Sequence, residues 1–141
     1  MERDRLEALI QNASSITEVL QMVDRDGCLT PLKDVLTDTM AEHQYTPQEL
    51  SKRIDVERST LYRLISGERL TTRNVLLRIA LALRLSLADT QAMLRSGQRA
   101  ELYAPVRRDA VIIFCITHGM TMAQAEEMLL RKGEGSLFER V

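Results

Sequence analysis

Residues 46–67, TPQELSKRIDVERSTLYRLISG, decide how this 141-residue chain is read. They hold two short amphipathic patterns about one turn of chain apart. Thr46 has an N-cap side chain, Pro47 suits the first helical position, and Glu49 stands where a capping-box acid reaches back to the cap. Leu50 and Ile54 then share one helical face, with Ser51 small enough to let another helix approach. Asp55 falls in the turn, where a residue tolerant of positive φ is wanted. Val56 follows as an apolar plug. In the second pattern Leu61, Leu64 and Ile65 recur at three- and four-residue steps. Arg58, Ser59, Tyr62 and Arg63 are left facing outward, Thr60 lies at the edge of that face, and Gly67 closes the helix. Two helices this short and this close must cross steeply and pack through few residues.

That arrangement is the helix-turn-helix, whose second helix is offered to the DNA major groove. The segment resembles the lambda-repressor-like (XRE-type) helix-turn-helix family. The resemblance continues through residues 68–94, ERLTTRNVLLRIALALRLSLADTQAML. It implies a first family helix over residues 32–42, capped by Thr30 with Pro31 behind it. It implies further helices over residues 75–83 and 86–94, after a basic loop. The fold it implies is all-α: a five-helix lambda-repressor-like DNA-binding domain over residues 30–96. Three positions depart from the family pattern. Pro47 stands where members often carry a phosphate-clamping Gln, and Gln48 comes one later. Asp55 replaces a common turn Gly, and Glu57 replaces a Ser or Thr cap.

The outward face supplies the candidate base readers Arg58, Ser59, Thr60, Tyr62 and Arg63. An Arg near the start of a recognition helix can make two hydrogen bonds to guanine, and hydroxyls can reach bases or phosphates. Tyr62 can stack on a sugar or bond a phosphate. The candidate phosphate contacts are Gln48, Lys52, Arg69, Thr71, Thr72 and Arg73. Thr71 and Thr72 lie at a helix start, where free N–H groups favour anions.

The net charge of −1 hides a segregation. Residues 1–42 carry four basic and nine acidic side chains, residues 43–99 ten and five, and residues 100–141 five and six. The basic excess therefore coincides with the DNA-reading segment, as phosphate attraction by local field requires. With 45% hydrophobic residues but only 4% aromatic and no Trp, the interior must be filled by aliphatic side chains and Met. No apolar run approaches the ~18–20 residues that span a bilayer. The charged start MERDRLEAL argues against a signal peptide, so a cytoplasmic protein is expected.

Cys28 and Cys115 are single and distant, which asks for no disulfide. Cys115 sits in an apolar run and reads as core. Cys115 and His118 are three apart on one helix, yet a tetrahedral metal needs two more ligands, and only the distant Cys28 and His43 remain. No phosphate loop or nucleophile elbow is present, so neither cofactor nor catalysis is expected.

Two flanks complete the organisation. Residues 1–29 form an acidic helical amino-terminal arm, with patterns at Leu6, Leu9 and Ile10 and at Ile16, Val19, Leu20 and Val23; the second is capped near Ser15, and residues 24–30 form a linker. Residues 97–141 form a carboxy-terminal helical hairpin. Its first helix, residues 106–118, is apolar through VIIFCI and so is expected to be buried on most sides, against the domain or a second subunit. Thr121 caps the second helix with Gln124 in the capping-box place. The expected function is sequence-specific DNA binding by a bacterial transcriptional regulator. The expected partners are double-stranded DNA and a second copy of the chain, with no membrane. The alternative is a protein-interaction adaptor or antitoxin-like partner on the same scaffold, engaging protein through the apolar hairpin.

Overall fold

The computed structural model describes residues 3–26 and 30–139, with side chains for 7–21 and 30–139. Among these residues there are nine helices and no strand. The chain divides into two compact units, Met1–Thr30 and Pro31–Val141.

In the first unit, α1 (Arg3–Gln11) and α2 (Ile16–Asp26) pack against each other. Ser15 starts α2, its hydroxyl accepting from the Glu18 N–H at 3.1 Å. The Glu18 carboxylate in turn accepts from the Ser14 N–H and hydroxyl at 3.0 and 2.8 Å. The reach-back of the capping box thus goes to the residue before the cap. Helix α2 runs on through residues 24–26, where the linker was expected to begin; the side chains of Leu6 and Val23, and residues 27–29 with Cys28, lie outside the described residues.

The second unit contains α3 (Leu32–His43), α4 (Pro47–Ile54), α5 (Arg58–Ile65), α6 (Arg73–Ala82), α7 (Leu87–Ser96), α8 (Arg107–Thr117) and α9 (Met122–Arg131). Its axis is α6, buried at every position from Asn74 to Ala82. Helices α4, α7 and α9 pack directly on α6, while α3 joins α5 to α7 and α8 joins α7 to α9. The aliphatic interior runs without a break from Leu36 and Leu50 through Leu76 and Leu83 to Ile112, Leu129 and Leu137. Residues 97–141 therefore share one core with the segment before them.

Helix ends are fixed by a repeated device. After α5, α8 and α9 stand Gly67, Gly119 and Gly133 at φ 81, 64 and 73. After α6 and α7 the same left-handed place is taken by Arg84 and Gln98 at φ 54 and 58. The next N–H reaches back to the last turn each time, as in Glu68 to the Arg63 carbonyl at 3.0 Å and Arg99 to that of Leu94 at 2.8 Å. These are Schellman closures, which satisfy carbonyls the helix leaves open.

One expectation is corrected. Thr30 does not cap α3. The Pro31 carbonyl accepts from the Asp34 and Val35 N–H groups at 3.0 and 3.2 Å, so Pro31 is the N-cap and no side chain assists it. Within the single chain, α8 is buried on one side only. Ile112 and Cys115 are buried, Val111, Ile113 and Ile116 half-buried, and Phe114 is exposed. One face meets α7 and α9, and the period of the helix carries the rest outward.

Gly97 is the tightest joint in the unit. A Cβ there would lie 2.5 Å from Leu76 Cδ1 on α6. Gly97→Ala is expected to cost about 1–3 kcal/mol through overpacking. Urea denaturation tests this, and an unchanged midpoint would mean that α7 and α6 have slack at their contact.

Candidate nucleic-acid interface

Helix α4 begins with the expected double bond. The Thr46 hydroxyl accepts from the Glu49 N–H at 3.2 Å, and the Glu49 carboxylate accepts from the Thr46 N–H at 3.3 Å. It ends at Asp55, at φ 56 and ψ 53, the left-handed conformation the turn requires. The Val56 N–H then closes on the Ser51 carbonyl at 3.0 Å. Leu50 and Ile54 are fully buried and Ser51 nearly so, which brings α4 close to α5 and α6.

Helix α5 has only eight residues and no side-chain bond at its Glu57 cap. A helix so short is marginal alone, so its stability must come from packing. Leu61 and Leu64, at 0% and 3% exposure, provide it against α3 and α4. The opposite side carries Arg58, Ser59 and Arg63, all exposed, and Tyr62 at 50% exposure. Thr60 is half-buried at the edge. Among the described residues none of these five side chains makes a hydrogen bond or ion pair. Gln48 and Lys52 are exposed on α4, and Arg69 is exposed on the loop after α5. Thr71 and Thr72 are half-buried, and the Thr72 hydroxyl caps α6 by accepting from the Val75 N–H at 3.2 Å.

Residues 35–90 match the family described as the Cro/C1-type HTH DNA-binding domain. Over these residues the chain is similar to that helix-turn-helix family. No curated protein and no solved structure matches the chain.

Arg73 departs from the phosphate role expected of it. Its guanidinium turns inward and grips Asp109 with two bonds of 2.9 Å. It also donates to the carbonyls of Ala100 and Glu101, each at 2.9 Å. The Asp109 carboxylate further accepts from the Tyr103 N–H at 2.9 Å. Such a fork matches a carboxylate as well as a phosphate, and here the carboxylate holds it. Four of its five N–H groups are thereby directed into the protein.

Sequence reasoning missed the rest of this inner network. The Asn74 amide donates to the Glu139 carbonyl at 2.9 Å and accepts from Arg108 at 2.8 Å. Arg108 also donates to the carbonyls of Gly135 and Ser136. Arg78 is 8% exposed, with its guanidinium 4.6 Å from the Phe138 ring centroid. Burial pulls that guanidinium below its ordinary value, against the opposing charges of Asp55 and Glu126. Its Nε has no hydrogen-bond partner among the described residues. The available signal was polar side chains at 73, 74 and 78 interrupting an apolar helix. It marks α6 as a helix with buried polar needs but does not name the partners.

Cys115 is buried, its thiol 3.9 Å from Met128 sulfur, and burial raises its pKa. His118 stacks on Phe114 at 4.0 Å between ring centroids, and its Nδ1 lies 2.9 Å from the Phe114 carbonyl. The two side chains serve different surroundings.

Burial alone would raise the Asp109 pKa. The Arg73 and Tyr103 hydrogen bonds, with the charges of Arg73 and Arg108, outweigh it and hold the carboxyl below its ordinary 3.8. A depressed carboxylate stabilises the fold above its unfolded value and loses that contribution as pH falls through its folded value. Asp109→Asn is therefore expected to cost about 3 kcal/mol at neutral pH by leaving Arg73 unpaired. The gap from wild type should narrow below about pH 4. Denaturation curves across that range check it, and a gap constant into strong acid would exclude the carboxylate charge as its source.

Proposed function

We propose that the protein is a sequence-specific transcriptional regulator of bacterial type that inserts α5 into the major groove as a homodimer in the cytoplasm. One observation carries the reading: α5 is held entirely from behind, and its outer face has no partner within the described residues. On this reading Arg58 forks onto a guanine, Ser59, Thr60, Tyr62 and Arg63 complete base recognition, and Gln48, Lys52, Arg69, Thr71 and Thr72 fix the register on phosphates. Arg73 is left out of the phosphate set because Asp109 occupies it.

A dimer would present two recognition helices to two half-sites, so that the operator repeats the symmetry of the protein. Val106, Phe114 and Leu130, exposed at 47%, 44% and 58%, give the hairpin apolar surface for a second copy. The same residues favour the second reading, in which the hairpin receives a different protein and the scaffold serves as an adaptor.

An operator selected from a random duplex library separates these readings. Arg58→Ala is expected to lose ~1–3 kcal/mol on that operator and to relax one base position. Lys52→Ala should weaken all sequences about equally. Wild-type affinity should fall steeply with salt, at a slope set by the phosphates contacted. Failure to select any operator, or equal binding by Arg58→Ala, would overturn the major-groove reading.

A further inference from the structure

We infer that Arg99, in the loop after α7 and outside the family match, is a DNA-backbone contact that extends the footprint beyond the helix-turn-helix domain. The inference rests on the major-groove reading and adds a residue to it.

The position of Arg99 is set by three constraints. Gly97 is buried against α6, with no room for a Cβ beside Leu76. Gln98 takes the left-handed conformation at φ 58, its N–H on the Arg95 carbonyl at 2.9 Å. The Arg99 N–H then closes on the Leu94 carbonyl at 2.8 Å. The backbone of Arg99 is thus fixed to the α6–α7 pair rather than carried on a free loop.

The side chain is aimed as well. Arg99 Nε donates to the Thr71 carbonyl at 2.9 Å. Thr71 belongs to the connection between α5 and α6, one residue before the Thr72 cap. That connection is tied to the recognition helix, because the Glu68 and Arg69 N–H groups both donate to the Arg63 carbonyl. The Arg69 bond to Arg63 and the Arg99 bond to Thr71 therefore both fall on the short chain that leads off the end of α5.

The terminal nitrogens of Arg99 make no hydrogen bond or ion pair among the described residues. Four other arginines of this unit are paired with acids: Arg73 with Asp109, Arg95 with Glu101, Arg107 with Glu134 and Arg131 with Glu127. Arg99 is exposed and has no acidic partner among the described residues. A guanidinium held by Nε presents its two terminal nitrogens as a fork, which matches a phosphate. A group anchored beyond the end of α5 lies outside the helix that reads bases, so its contribution is independent of sequence. Little rotamer freedom is left to lose on binding, because the Thr71 bond already orders the chain.

The test is the slope of log affinity against log salt, on the selected operator and on a random duplex. Arg99→Gln is expected to make the slope shallower by about one on both. Arg99→Lys should return most of it, because the charge is restored. Gln98→Glu leaves Arg99 itself unchanged and adds a negative charge one residue away; it too should flatten the slope, which keeps the test open if Arg99→Gln folds poorly. A merely structural role for Arg99 predicts lower thermal stability with an unchanged slope, and that result overturns the inference. Arg58→Ala run alongside separates the two levels. If it loses operator binding while Arg99→Gln and Gln98→Glu keep the wild-type slope, only the Arg99 contact falls. If Arg58→Ala binds as wild type, the major-groove reading falls with it.

Discussion

The unit Pro31–Val141 is organised by what α6 demands of its neighbours. A helix buried from Asn74 to Ala82 can be covered by aliphatic side chains almost everywhere, and α4, α7 and α9 do this. Three polar residues on it cannot be treated so, since a buried donor without an acceptor is destabilising. Arg73 finds Asp109 and two carbonyls, Asn74 finds the carbonyls of residues 136 and 139, and Arg78 lies over the ring of Phe138 with its Nε left without an acceptor among the described residues. Each partner comes from residues 100–139. The carboxy-terminal hairpin and tail are held in place by satisfying α6, and α6 in turn backs α4, against which α5 is set.

Besides the surface pairs that Arg95, Arg107 and Arg131 make with acids, two sets of arginines have opposite surroundings. Arg73, Arg78 and Arg108 are turned into the protein and fasten its rear. Arg58, Arg63, Arg69 and Arg99 face out without acidic partners among the described residues. The net charge of the chain is close to neutral, so attraction for an anionic partner depends on which guanidiniums are already occupied. Partner choice within the fold, rather than composition, therefore sets the field at the recognition face.

Much of the front of the molecule was legible in the sequence because its rules are local. The Thr46–Glu49 capping box, the left-handed Asp55 and the Leu61–Leu64 stripe are each set by residues within four positions of one another. The second capping box, Thr121 with Gln124, was legible for the same reason. Arg73 was misread because its partner lies 36 residues downstream and no local pattern links the two. The Thr30 cap failed by one position: Pro31 has no N–H to lose at a helix start, and its carbonyl reached α3 first. The apolar run in α8 did not tell which side meets the chain's own core, since a run with no polar break hides which side of a helix turns outward. The candidate base readers were picked out by elimination from the inner stripe, and the structure exposes four of them and half-buries Thr60. What they touch depends on a duplex outside the chain.

The family match ends at residue 90, inside α7 and before any acceptor for the Arg73 guanidinium. The segment that is recognisable by its kinship is therefore not the segment that can stand by itself. Grafting residues 35–90 into another host would transplant α6 with three orphaned polar groups and one bare flank. Re-lettering the outer positions of α5 in place touches none of those bonds, and is the gentler way to redirect this molecule.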